Sequence, residues 1–122
     1  MNNLPNNNIS SVPVLFLAEN NAITVKLRPG RLPHATASSL LKTLVEESKR
    51  GDYRSLKLDF TEIENVSSPI LGFCVDIRNR AVALGMSVDM IGVNSQLNEI
   101  FKLMRLDRLF NIVNIKNDFI VA

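Results

Sequence analysis

The chain has 122 residues, 46% of them apolar and 21% charged, with a formal net charge of +2. That length is one domain's worth, able to bury roughly two-thirds of the unfolded surface around a single core. A charge so near zero points to neither a nucleic-acid groove nor a membrane-surface patch, and no apolar run approaches the ~20 residues that span a bilayer.

Residues 1–12 are asparagine-rich, with no basic or apolar signal region, and read as a disordered polar tail ahead of a single domain over 13–122. Two β-rich runs follow, 14–18 and 22–27, and the short link Glu19-Asn20-Asn21 between them suits a hairpin. A Pro- and Gly-containing loop over 28–34 breaks the pattern. Ala37, Leu40, Leu41, Leu44 and Val45 then recur at helical spacing as far as Arg50, with Lys42, Glu46 and Glu47 facing elsewhere, which predicts an amphipathic helix.

Gly51-Asp52 ends that helix, and Leu56, Leu58 and Phe60 mark a strand. Ser68 is expected to cap a second helix with Pro69 in its first position, running to about Leu84 before Gly85 closes it. A short strand is expected over 87–91. Asn94-Ser95 then caps a third helix whose apolar face is read as Leu97, Ile100, Phe101 and Met104. Residues 106–110 turn the chain back, 111–115 form a last strand, and 118–122 remain as a stub.

A hairpin followed by strands alternating with helices predicts an α/β domain with a mixed sheet, because helical crossovers of this length join parallel strands. The loops leaving parallel strands share one edge of the sheet, where sites collect. Loops 30–34, 61–68 and 92–95 are therefore expected to gather around Ser67.

Catalysis finds little to work with. There is one His and one Cys, the glycines are scattered singly, and no pair of ligands has metal spacing, so the chain reads as a non-enzyme without cofactor or metal. His34 lies in the Pro-containing loop and reads as a solvated loop or cap residue, with a pH-sensitive contact as the alternative. Asp59, Glu62 and Glu64 lack a second ligand group elsewhere, and Lys102, Arg105, Arg108 and Lys116 read as solvated partners of a helix C-terminus. Cys74 reads as a buried small hydrophobe in a reducing compartment, with the cytoplasm as the default location. The pair Ser67-Ser68 stands out because it opens a helix, where free N–H groups and the helix dipole favour negative charge. Ile70 and Leu71 behind it are expected to stay partly exposed as a docking face.

Three stretches carry a resemblance to a known family. These are residues 30–37; the strand 56–60 followed by Val66-Ser67-Ser68-Pro69-Ile70; and residues 100–110. In order and spacing the chain resembles STAS domains of the anti-sigma factor antagonist type. The resemblance implies partner switching. In that family a serine at the position of Ser67 is phosphorylated by an anti-sigma factor kinase, and only the unmodified form holds the kinase. It implies Ser67 as phosphoacceptor, with Ser68 as the lesser candidate, and a partner surface of Leu32, His34, Val66, Ser67, Ser68, Pro69, Ile70 and Asn94. The implied partners are an anti-sigma factor or serine kinase and a serine phosphatase, with no nucleic acid, no membrane span, and a monomer or weak dimer. Val66, Pro69 and Pro33 stand where the family has Asp, Gly and Asp, and Arg105 replaces its turn glycine. A second reading keeps the fold without the switch: a degenerate, unphosphorylated STAS subunit acting as a scaffold in a signalling or lipid- or anion-transport complex. An apolar cleft near the strand ends would support a third reading, a small enzyme or ligand carrier.

Overall fold

A computed structural model describes residues 14–116, with side chains through 113, so the expected tail over 1–12 and stub over 118–122 lie outside the described residues. Among the described residues, five strands form one sheet in the order β1 to β5. They are β1 (Val14–Glu19), β2 (Ala22–Leu27), β3 (Ser55–Asp59), β4 (Ser87–Asn94) and β5 (Asn111–Lys116). β1 pairs antiparallel with β2, and each later strand is parallel to the one before it. The mixed sheet expected from the sequence is therefore present, with the hairpin turning at Asn20, whose φ of 56° is the left-handed conformation asparagine tolerates.

Three helices join the parallel strands among the described residues: α1 (His34–Arg50), α2 (Ser68–Ala83) and α3 (Ser95–Leu103). The strands follow chain order across the sheet, so each right-handed crossover carries its helix to the same face. The alternation along the strands agrees. Ile23, Val25 and Leu27 on β2 and Leu56 and Leu58 on β3 are buried towards the helices, while Thr24, Lys26, Lys57 and Asp59 are half-buried on the other side. Each aliphatic side chain so buried contributes about 1.5–3 kcal/mol. Phe60, beyond β3, meets Phe101 of α3 edge to face, with ring centroids 5.7 Å apart.

Several expectations are corrected in detail. His34 is the first residue of α1, not part of the preceding loop. β4 continues to Asn94 because the pairing with β5 shifts register around Gly92 and resumes, so no separate loop precedes α3. The buried face of α3 is Leu97, Asn98 and Phe101, whereas Ile100 is exposed and Met104, the residue capping the helix, is 50% exposed. The turn that follows, a 3-10 segment Leu106–Arg108, is entered through Arg105 at φ 60° and ψ 26°, a left-handed backbone that arginine adopts at a cost glycine would avoid.

Cys74 on α2 is fully buried, and burial pushes its thiol up from 9.0 to about 12. A group whose folded value is raised holds its full stabilisation below the unfolded value and loses it as pH rises towards the folded one. Denaturant titrations of the native chain are expected to show a loss of about 1 kcal/mol between roughly pH 9 and pH 10 from this thiol alone, a component absent from Cys74→Ala. Equal slopes for the two proteins in that window would contradict it.

Candidate functional site

The C-terminal ends of β2, β3 and β4 lie side by side, and the loop leaving β3 is tied to both neighbours. Phe60 N–H donates to the Ile91 carbonyl of β4 at 2.9 Å, and Ile63 N–H donates back to the Phe60 carbonyl at 2.9 Å. Lys26 at the end of β2 pairs with Glu62 at 3.1 Å. Asp59 accepts from the Thr61 N–H at 2.9 Å and from the Thr61 hydroxyl. Asp59 and Glu62 are thus engaged by neighbours, and among the described residues no three His, Cys, Asp or Glu side chains converge as metal ligands.

Two residues of β4 fix this loop from beneath. Gly92 has φ 70°, and a Cβ there would fall 2.4 Å from the Thr61 hydroxyl oxygen, so only glycine lets the loop lie against the strand. Asn94, 8% exposed, is shared between two elements. Its Oδ1 accepts from Leu97 N–H at 2.7 Å and caps α3, while its Nδ2 donates to the carbonyls of Ile63 and Glu64 at 3.2 and 3.4 Å. The sequence placed Asn94 on the partner surface, but it lies behind that surface as a brace. Its capping role was expected; its second role needs the fold, because the loop it holds is thirty residues away in the chain.

The braced loop delivers Val66 and Ser67 to the start of α2. Ser67, not Ser68, is the N-cap: its backbone is extended at φ −92° and ψ 162°, and its Oγ accepts from Ile70 N–H at 3.4 Å. The cap therefore sits one residue earlier than expected, and Pro69 occupies the second helical position instead of the first. Either position suits proline, since neither N–H has a partner within the helix. Ser67, Ser68 and Pro69 are exposed, and Val66 is half-buried. Ile70 is buried at 4% exposure, so the expected apolar docking face does not include it, although Leu71 stays half-buried. The i, i+3 and i+4 geometry of α2 turns Ile70, Phe73 and Cys74 together into the core.

Two residues after Ser67, at Pro69, the chain enters a groove of about 360 Å³ between the starts of α1 and α2. Leu32, His34 and Ala37 line one side and Pro69, Gly72 and Asp76 the other, with Leu41 and Phe73 beneath. Leu32 is 6% exposed, so it supplies floor more than contact area. The structure thus brings His34 and Pro69 to one groove, with the exposed Ser67 and Ser68 preceding Pro69 in the chain but not lining it, and buries Leu32, Ile70 and Asn94. Gly72 and Asp76, which the sequence did not single out, belong to the groove because they lie one and two turns into α2 on the side facing α1. Nothing lies within 4 Å of the position a Gly72 Cβ would take. Such an open groove is wide enough to receive a protein segment.

A family model described as "Mlab, STAS domain" matches residues 16–114. No curated protein sequence matches the chain. Among solved structures, the chain is similar to the Thermotoga maritima protein TM1081, with 19% identity over 82% of this chain and 79% of that one, and a TM-score of 0.69. It is also similar to a serine-to-glutamate variant of Moorella thermoacetica RsbS (18% identity, 85% and 86% covered, TM-score 0.66). A third is the Bacillus cell fate determinant SpoIIAA in its phosphorylated form (10% identity, 86% and 92% covered, TM-score 0.61). At these identities the likeness is one of fold.

Proposed function

Because the chain belongs to the STAS domain family, we propose that it is a regulatory binding protein of the anti-sigma factor antagonist type. On this reading it docks an anti-sigma factor or serine kinase on the rim around Ser67 in the cytoplasm, and phosphorylation of Ser67 releases that partner until a serine phosphatase restores it. The observation that carries the reading is the exposed Ser67 at the tip of a 16-residue helix, two residues ahead of Pro69, which lines an open groove. SpoIIAA, whose fold this chain shares, is an anti-sigma factor antagonist known in unphosphorylated and phosphorylated forms.

The physics of the rim is compatible with such a switch. A phosphoryl group brings about −1.5 to −2 charges, which the positive end of α2 tolerates and an apolar partner face does not. A penalty of about 3–4 kcal/mol at the interface lowers affinity several hundredfold. Incubation with an anti-sigma factor kinase and ATP is expected to place one phosphate on the chain, found on Ser67 by peptide mass spectrometry and absent from Ser67→Ala. Undiminished modification of Ser67→Ala would reassign the acceptor.

One observation favours a second reading, a STAS subunit that binds a partner without being phosphorylated. Val66 puts a half-buried hydrocarbon beside Ser67 where an acidic side chain could orient the hydroxyl, and the matching family model is the one described for Mlab. Under this reading Ser67→Glu leaves partner affinity unchanged. Under the first it lowers that affinity by about two orders of magnitude, as a 3 kcal/mol penalty requires.

A further inference from the structure

The opposite end of the molecule has a surface of a different character. α1, α2 and α3 run antiparallel to the strands they connect, so their C-termini collect at the edge where β2, β3, β4 and β5 begin, about 17 Å from the Ser67 rim along a five-residue strand. Large apolar side chains stand exposed there on three segments. Val82 and Leu84 end α2, Ile100, Leu103 and Met104 end α3, and Leu109 follows the 3-10 turn, with Leu103 82% exposed and Met104 50%. The Arg78 guanidinium donates to the Leu109 carbonyl at 3.1 Å and so fastens the turn to α2.

Cations are interleaved with these side chains. Lys102 and Arg105 flank Leu103 and Met104 directly, and Arg108 precedes Leu109, while Arg80 lies in the last turn of α2. None of the four forms an ion pair among the described residues; Glu99 and Asp107 are the acids next to Lys102, Arg105 and Arg108 in sequence, while Arg80 lines a groove on the α1 side of α2 together with Glu46, Lys42 and Lys49. Arg105 is notable because its left-handed backbone favours glycine, so the fold alone gives no reason for an arginine there.

We propose that this end is a docking surface for an anionic lipid membrane. Charge complementarity selects the occupant: a second copy would set these cations against one another, whereas acidic headgroups neutralise them. The apolar tips come from three segments sharing one end of the domain, which suits a planar, deformable apolar layer better than a partner's single groove. Leu103 and Met104 would enter the acyl boundary while Lys102 and Arg105 extend to the phosphates. The net charge of +2 hides this site, because acids elsewhere in the chain offset its cations. The Ser67 rim would face away from the membrane and stay free, so the proposal stands whether or not Ser67 is modified.

Co-sedimentation of the full chain with phosphatidylcholine vesicles containing about a quarter phosphatidylglycerol tests it, with pure phosphatidylcholine alongside. Pelleting is expected with the acidic vesicles only, falling as salt is raised. Leu103→Ser/Met104→Ser is expected to abolish it, and Lys102→Gln/Arg108→Gln to weaken partitioning roughly thirtyfold. Arg105→Gly carries the sharpest expectation, a higher melting temperature together with weaker pelleting. Because that variant gains stability, its loss of binding cannot come from misfolding. Equal pelleting with neutral vesicles, or variants that bind as the native chain does, would overturn the proposal. So would no pelleting at all, which would leave the surface to an acidic protein.

Discussion

Replacing Phe60 by alanine is expected to destabilise the fold by about 3–5 kcal/mol, the range for deleting a fully buried aromatic ring. Phe60 is 0% exposed and meets the Phe101 ring of α3 edge to face, so truncation forfeits both the transfer energy and the aromatic contact. The site should be affected as well. The Phe60 backbone is the hinge between β3 and the loop carrying Ser67, held by the Ile91 carbonyl and holding Ile63 in turn. Urea denaturation followed by circular dichroism measures the loss, and Phe60→Leu, which keeps most of the volume, should recover more than half of it. A loss below about 1 kcal/mol would mean that the ring is not part of the packed core.

Asn94→Ala is expected to cost about 3–5 kcal/mol through a different mechanism. The amide caps α3, worth about 1 kcal/mol, and satisfies the buried Ile63 carbonyl and the part-buried Glu64 carbonyl, which left unpaired cost about 2–4 kcal/mol together. Asn94→Asp separates the two roles. It retains the cap acceptor but sets a carboxylate against two carbonyl oxygens, so it should be nearly as harmful as alanine, whereas a cap alone would tolerate aspartate. Amide exchange should show the damage reaching residues 61–66 before it reaches the strands of the sheet. Unchanged protection in that loop would remove Asn94 from its role as a brace.

Much of this architecture could be read from the sequence, for reasons visible in particular residues. Alternating Leu56, Leu58 and Phe60 and the helical recurrence of Leu40, Leu41 and Leu44 carry their own periods, and the order of hairpin, helices and strands then dictates a mixed sheet. The register of the cap on α2 did not follow, because proline is accepted in either of the first two helical positions and both serines can cap. β4 ran past its expected end because a single glycine at a bulge looks like a loop in sequence, while the pairing that continues through Val93 and Asn94 is a property of β5. The face of α3 was misjudged at Ile100 and Met104 because spacing identifies a stripe but not which way an edge helix rolls. Of the site, Ser67 and its neighbours were legible as a helix start. The burial of Leu32, Ile70 and Asn94 beneath it was not, since it depends on what α1 and the loop after β3 place over them.

Pro69 gives the helix tip an asymmetry with a consequence for any group attached there. With Ile70 N–H already turned to the serine oxygen and Leu71 N–H bonded to the Ser67 carbonyl, proline removes the next donor, and the Ser68 amide is the one left uncommitted among the described residues. A tip so poor in donors makes a shallow socket. Negative charge added at Ser67 would project outward and be felt by whatever approaches, while the interior registers almost nothing. Melting curves of charged and uncharged forms should nearly superimpose, with the difference between them confined to molecules other than this one.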